Sequence, residues 1–116
     1  MSEFIHYLIE VFEQIGIVSA RKMFGGYGLY HQGVMFGLVY DDTLYLKADA
    51  ANAQQFESQG LSQFTYLKAG KQVSLSYYLA PAEVLDDPEQ AAIWARQSFE
   101  AACRSGARRG RHTIKS

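Results

Sequence analysis

Residues 21–30 read RKMFGGYGLY, and an apolar hairpin ending in LYLK at residues 44–47 follows them. These ten residues hold three glycines and three aromatic side chains. Glycine adopts positive φ without strain and lets another segment of backbone approach closely. The composition therefore indicates either a tight bend or bulge that lets a strand cross the first helix, or backbone that forms the floor of a ligand groove.

The length of 116 residues and the ordinary apolar content indicate one globular domain. The single cysteine, Cys103, excludes an internal disulfide and a multi-cysteine zinc site, and it fits a reducing compartment. No apolar run approaches the ~20 residues that span a bilayer, and the first residues lack the features of a signal peptide. We therefore expect a cytoplasmic protein that does not enter a membrane.

Hydrophobic periodicity predicts an alternation of helices and hairpins. Three helices are expected, with N-caps at Ser2, Asp49 and Asp87 and ends near Gly16, Gly60 and Cys103. Five strands are expected at residues 28–30, 34–40, 43–47, 64–67 and 73–79, with a two-residue turn at Asp41-Asp42. This order predicts an α+β fold, in which an antiparallel sheet built from hairpins carries its helices on one face.

Charge is unevenly distributed along the chain. Residues 1–103 hold six Lys or Arg and twelve Asp or Glu, whereas residues 104–116 hold five basic residues and no acidic one. We therefore predict a folded domain over residues 1–104 and a flexible basic tail over residues 105–116. In this tail Arg108, Arg109 and Arg111 are candidates for weak, nonspecific contact with nucleic acid. The alternative is a solubilising tail that contacts nothing.

Short segments spread over most of the chain carry a family resemblance. They are RKMFGGYG at 21–28, Phe36-Gly37, LYLKAD at 44–49, Phe56, Gly60, FTY at 64–66, Gly70-Lys71, SYY at 76–78, Pro81 and Trp94-Ala95. In this order they make residues 19–103 resemble the N-terminal domain of the TfoX/Sxy family of bacterial competence regulators.

The resemblance implies a sheet domain like that of secretion chaperones, a bacterial cytoplasmic setting and a role in gene regulation. Full-length members carry a second, helical domain, and we expect this chain to lack it and to end in the basic tail. The resemblance implies no catalytic residue.

The glycine-rich run and its basic neighbours supply the candidate binding residues. They are Arg21, Lys22, Phe24, Gly25, Gly26, Tyr27 and Lys47. The run is neither a P-loop nor a dinucleotide fingerprint, because it lacks the Lys-Ser/Thr ending and does not lie between a strand and a helix. The cations could instead contact an anion or a partner.

The remaining polar residues do not assemble into a recognisable reaction centre. The chain holds two carboxylate pairs, Asp41-Asp42 and Asp86-Asp87, and three histidines, His6, His31 and His112. The carboxylates occupy predicted turns or caps, and the histidines lack metal-ligand spacing. We therefore expect no enzymatic activity, no cofactor and no metal.

Two function classes stay open at this stage. The first is a regulatory module that binds a protein partner, and an exposed sheet edge would also be compatible with a homodimer. The second is a domain that binds a small molecule or anion at the glycine-rich bend. The many tyrosines could stack on nucleic-acid bases, but strand packing explains them more simply.

Overall fold

The computed structural model describes residues 2–23 and 25–115, with described side chains as far as Gly106. These residues form four α-helices, namely α1 (Glu3–Val11), α2 (Ala53–Glu57), α3 (Glu83–Asp86) and α4 (Pro88–Lys115). The six strands are β1 (Val18–Met23), β2 (Gly26–His31), β3 (Val34–Tyr40), β4 (Thr43–Lys47), β5 (Gln63–Lys68) and β6 (Lys71–Leu79). A short 3₁₀ turn at Glu13–Ile15 follows α1.

The strands form one sheet in the order β1-β2-β3-β4-β6-β5, and every neighbouring pair is antiparallel. β1 and β5 are therefore the two edges of the sheet. The predicted α+β fold with an antiparallel sheet is confirmed, but the sheet has six strands and not about five.

β1 is the strand that the sequence analysis missed. It pairs with β2 from Val18 opposite His31 to Met23 opposite Gly26, so the glycine-rich run forms the tip and second strand of a hairpin. Gly25 lies in the turn with φ +80°. Only Val18 is buried along β1, which therefore lacks a clear hydrophobic alternation, and its pairing with β2 makes it a strand.

Local capping signals place the helix starts as expected in two of three cases. The Ser2 hydroxyl accepts the Ile5 N–H at 3.3 Å at the start of α1. Asp87 Oδ1 accepts the Glu89 N–H at 2.9 Å at the start of α4. The carboxylate of Asp49 instead accepts the Ala51 N–H in a turn, so α2 begins later than predicted.

Two helix ends differ from the prediction. α1 stops at Val11 and the chain continues as the 3₁₀ turn, although Gly16 still ends the segment with φ +120°. α4 has its last residue at Lys115, beyond the end near Cys103 expected from periodicity. The side chains of the predicted basic tail, including those of Arg108, Arg109 and Arg111, lie outside the described residues, and their role stays a prediction.

α1, α2 and α4 pack against one face of the sheet, α3 packs against α4 and α1, and all four helices contribute to a single core. Its largest fully buried side chains include Ile5, Leu8, Phe12, Leu29, Phe36, Leu46, Phe56 and Val84. Phe12, which directly follows α1, meets Phe36 of β3 edge-on at a centroid distance of 5.5 Å. Phe56 of α2 packs against Trp94 at 5.1 Å and stacks on Tyr78 at 5.3 Å. Burial of these aromatic rings fixes the helix layer on the sheet.

In the part of the chain that the structure describes, no helix has both the length and the apolar character needed to cross a membrane.

Candidate functional site: a groove on the open face of the sheet

The face of the sheet opposite the helices is here called the open face. Directly paired residues share a face, so Arg21, Gly28, Leu38, Tyr45 and Leu79 form one row across five strands. Leu38 is buried yet lies outside the core that the helices share. Its burial must therefore come from other side chains on the open face.

The open face is concave. The ring of Phe64 on β5 lies edge-on to Tyr45 at 4.9 Å and to Tyr40 at 5.7 Å. β3 and β5 are three positions apart in the sheet, which corresponds to about 14 Å if the sheet were flat. The side chains of Tyr40 and Phe64 are too short to meet easily across a flat sheet of this width. The sheet therefore curves towards its open face and brings the two rings together.

The concave surface forms an apolar groove of about 640 Å³. This open-face groove is lined by Met23, Met35, Leu38, Tyr40, Phe64, Thr65, Tyr66, Leu67 and Leu75. Three lining residues are well exposed, since Tyr40, Tyr66 and Leu67 keep 44%, 38% and 76% of their surface. Concave apolar surfaces with exposed aromatic side chains are typical of binding sites.

A glycine shapes one end of the groove. A Cβ atom at Gly28 would lie 2.8 Å from Met23 Sδ and 3.0 Å from Met35 Sδ. The absence of a side chain therefore lets two methionine tips settle over the β2 backbone. Because thioether side chains are flexible and polarisable, this end of the groove can adapt to the shape of a ligand.

Cations surround the groove. Arg21 lies over the Tyr30 ring at 4.8 Å, and Lys47 lies over the Tyr77 ring at 5.2 Å. Lys68 and Lys71 are paired at the end of the β5–β6 hairpin, and alternation along the strands puts them on the same face as Tyr66. The open face thus carries four cations beside apolar and aromatic side chains.

The strands of the sheet carry only positive charge. The six described strands contain five basic residues and no Asp or Glu, the five being Arg21, Lys22, Lys47, Lys68 and Lys71. All twelve acidic residues of the chain lie in helices, turns and loops. The strands are therefore positive and free of carboxylates, although the net charge of the chain is −1.

The structure brings two of the predicted site residues to the open face, namely Arg21 and Lys47. Lys22 pairs with Tyr27, and Tyr27 packs against the core, so both belong to the helix side of the sheet. Phe24 lies outside the described residues. The predicted cluster is thus divided between the two faces.

The remaining predicted residues line a different, smaller cleft. Its volume is about 170 Å³, and its lining residues are Ser2, Gly25, Gly26, Tyr27, Val39, Asp41 and Asp42. The two carboxylates make this cleft unfavourable for an anion. At Gly26 a Cβ would lie 2.1 Å from the Val39 carbonyl oxygen, so close backbone packing explains this glycine.

Sequence reasoning missed most of the groove. None of the residues that line the groove was among the predicted site residues. A usable signal was present, because β3 is apolar on both faces while the few predicted helices can cover only one. An apolar strand face that no predicted helix can cover is a candidate binding surface.

Other polar groups in the described part of the chain serve the fold. His31 Nδ1 lies 2.8 Å from the Ile17 carbonyl oxygen, and its ring meets Phe99 edge-on at 4.9 Å. Burial raises the pKa of the Cys103 thiol, which disfavours the reactive thiolate. Within the described residues, no three His, Cys, Asp or Glu side chains are grouped to hold a metal ion.

Comparison with known proteins gives a consistent family match. Residues 10–102 match the family model described as the TfoX N-terminal domain. The chain is 32% identical over 66 residues to DNA transformation protein TfoX1 of Aliivibrio fischeri, covering 57% of this chain and 32% of that protein. It is 35% identical over 69 residues to Protein Sxy of Escherichia coli, covering 60% of this chain and 33% of that protein.

A third relative, DNA transformation protein TfoX of Haemophilus influenzae, is 36% identical over 67 residues, covering 57% of this chain and 31% of that protein. The matched region spans about a third of the length of each of these relatives.

Proposed function

The chain belongs to the TfoX N-terminal domain family, and from this premise we propose that it is a regulatory domain that acts by binding a protein through the open-face groove. Two of its relatives are named as DNA transformation proteins. The proposal extends a role in controlling gene expression, which the family resemblance implies, to this chain.

The observation that carries the proposal is the uncovered concave face. Leu38 and Phe64 are buried there without any contribution from the helix core, and Tyr40 and Tyr66 stay exposed beside them. Leaving such apolar area in water is unfavourable by roughly 25 cal/mol per Å². A partner that covers this surface removes that penalty.

The proposal assigns no reaction to the chain. The raised pKa of the Cys103 thiol is unsuitable for a nucleophile. The carboxylate of Asp49 is held by Arg104 in an ion pair, so its role is structural. Binding, and not catalysis, is what the open face offers.

The test compares transcript levels in the native host cell for the wild-type gene, its deletion and the groove variant Tyr66→Lys. We expect Tyr66→Lys to reproduce the transcript changes of the deletion, because a charge in the groove excludes an apolar partner surface. The matched control is Ile93→Lys, which places the same charge at a similarly exposed position of α4, where 46% of the side-chain surface is accessible.

Wild-type transcript levels with Tyr66→Lys would contradict the proposal, as would a deletion that changes no transcript. Thermal unfolding of the purified variants establishes that they are folded. Tyr40→Lys, at an exposed lining position on β3, replaces Tyr66→Lys if the latter does not fold.

A small apolar ligand is the second candidate function. The groove volume of about 640 Å³ falls within the range of small-molecule sites. A thermal-shift screen with a metabolite library would favour this candidate if a compound stabilised the wild-type chain but not Tyr66→Lys.

A further inference from the structure

We propose that the occupant of the open-face groove is an acidic amphipathic segment of a partner protein. Its apolar side chains would fill the groove, and its Asp or Glu side chains would contact the cations around it. This inference rests on the proposed function and specifies the chemistry of the partner.

Charge complementarity is the first argument. Four cations lie on the open face, and the described strands contribute no carboxylate beside them. The acidic turn Asp41-Asp42 lies at one end of the sheet, at the separate small cleft. A positive surface of this kind attracts a negatively charged segment and repels a basic one.

The position of the cations is the second argument. Arg21 and Lys47 each lie over a tyrosine ring, and Lys68 and Lys71 lie beyond the far end of the groove. The cations therefore surround an apolar floor and do not interrupt it. A segment with apolar side chains on one side and carboxylates at its margins matches this arrangement.

A second copy of the chain fits the open face poorly. If two open faces packed together, the four cations of each copy would meet those of the other with no strand carboxylate to compensate. Like charges brought together in this way are destabilising. A homodimer formed through the sheet edges stays a separate prediction, because it would not bring the two open faces together.

Single-stranded nucleic acid also fits less well. Base stacking needs exposed ring faces. Phe64 presents its ring edge-on to Tyr40 and Tyr45, and Arg21 already lies over Tyr30. The lining also includes Met23, Met35, Leu38, Leu67 and Leu75, none of which offers a flat ring on which a base could stack.

The edge strand β5 offers a further means of recognition. Phe64, Tyr66 and Leu67 line the groove from this strand, and β5 pairs with β6 on one side only. Free backbone groups at a sheet edge can pair with an extended peptide. A bound segment could therefore insert alternate side chains into the groove while its backbone lies against β5.

The test uses the full chain, immobilised, and a phage-displayed library of random peptides about twelve residues long. We expect the selected sequences to combine aromatic or aliphatic residues with Asp and Glu. Affinities of synthetic copies are then measured by fluorescence anisotropy, and we expect them to fall as ionic strength rises.

Two charge reversals in the same strand make a matched pair. Arg21→Glu, on the open face, should weaken binding of the selected acidic peptides on the order of fivefold. Lys22→Glu, its neighbour on the helix side, changes the net charge equally and should leave the affinity unchanged. Repeating the selection with Arg21→Glu and Lys47→Glu combined should yield fewer acidic peptides.

Selection of basic or uncharged peptides, or of none, would overturn the inference. Equal effects of Arg21→Glu and Lys22→Glu would do the same, because they would indicate a general charge effect. Binding of a labelled twelve-nucleotide oligo(dT) that depends on Arg21, in place of acidic peptides, would assign the face to nucleic acid. If this test failed while Tyr66→Lys still reproduced the deletion in cells, the proposed function would stand and only the partner chemistry would be wrong.

Discussion

The guanidinium of Arg104 in α4 forms a two-point contact with the carboxylate of Asp49, which lies 55 positions earlier in the chain. The Nε–Oδ2 distance is 2.6 Å and the Nη2–Oδ1 distance is 3.0 Å. This ion pair joins the last helix to the loop between β4 and α2. The contact thereby holds α4 over the end of the sheet that carries α2.

Replacing Arg104 by Ala should lower the free energy of unfolding by less than about 1 kcal/mol, because the pair is partly exposed and screened by solvent. The hydrogen bond from Arg104 holds the pKa of the Asp49 carboxyl below its usual 3.8. The stability from this pair is therefore fully present above pH 3.8 and is lost as the pH falls through the lower pKa of the folded state.

Urea denaturation of both proteins between pH 2.5 and 7, taken as roughly spanning the carboxyl range, measures this difference. We expect a constant gap between wild type and Arg104→Ala at neutral pH that narrows in acid. A gap that widened in acid would contradict the assignment.

Gly26→Ala should be strongly destabilising, on the order of 3 kcal/mol. The new methyl group would lie 2.1 Å from the Val39 carbonyl oxygen, which is backbone and cannot rotate away. Gly33→Ala is the matched control, since φ there is +78° but nothing lies within 4 Å of the added Cβ. Gly33→Ala should lower the free energy of unfolding by only about 1 kcal/mol, because of backbone strain at positive φ. Chemical denaturation measures both, and equal losses would exclude close backbone packing as the reason for Gly26.

Phe56→Ala should lower the free energy of unfolding by about 4 kcal/mol, because the ring is fully buried between Trp94 and Tyr78. The chain has a single tryptophan, so the emission of Trp94 reports directly on this site. We expect a red-shifted emission in the folded variant as water reaches the cavity. Leu67→Ala, at an exposed position, should change the unfolding free energy by less than about 0.5 kcal/mol.

Oxidation of the groove methionines should weaken binding of the selected acidic peptides. Conversion of Met23 and Met35 to sulfoxides places polar groups on the apolar floor. The affinity is measured before and after treatment with hydrogen peroxide. The double variant Met23→Leu with Met35→Leu retains Met1 and should keep its affinity after treatment, whereas an equal loss in this variant would show that other groups are responsible.

Much of the fold could be predicted from short-range signals. The Asp41-Asp42 turn was expected between two strands, and both residues adopt φ +54°, as a two-residue hairpin of this kind requires. β1 escaped prediction because Ser19 and Ala20 are small and the consecutive residues Arg21 and Lys22 are charged, so the segment has no clear apolar face. Its identity as a strand depends on hydrogen bonds to β2.

The candidate site was less predictable than the fold. Arg21 and Lys22 are neighbours in the sequence, yet alternation along β1 sends them to opposite faces of the sheet. Met35 and Leu75 lie far apart in the chain and line the same groove. The spacing of these two residues along the sequence does not indicate that they lie close together in the fold.

The amino-acid sequence by itself determined the caps at Ser2 and Asp87, the turn at Asp41-Asp42 and the apolar character of both faces of β3, because each depends on residues within a few positions of one another. The tertiary structure alone decided which face of the sheet the helices cover and which face remains concave and open. That choice depends on the strand order and on pairings such as Lys47 with Tyr77, which bring together residues that are far apart in the chain. Side chains alternate between the two faces of every strand. The packing of the helices buries one face of the sheet and leaves the other exposed.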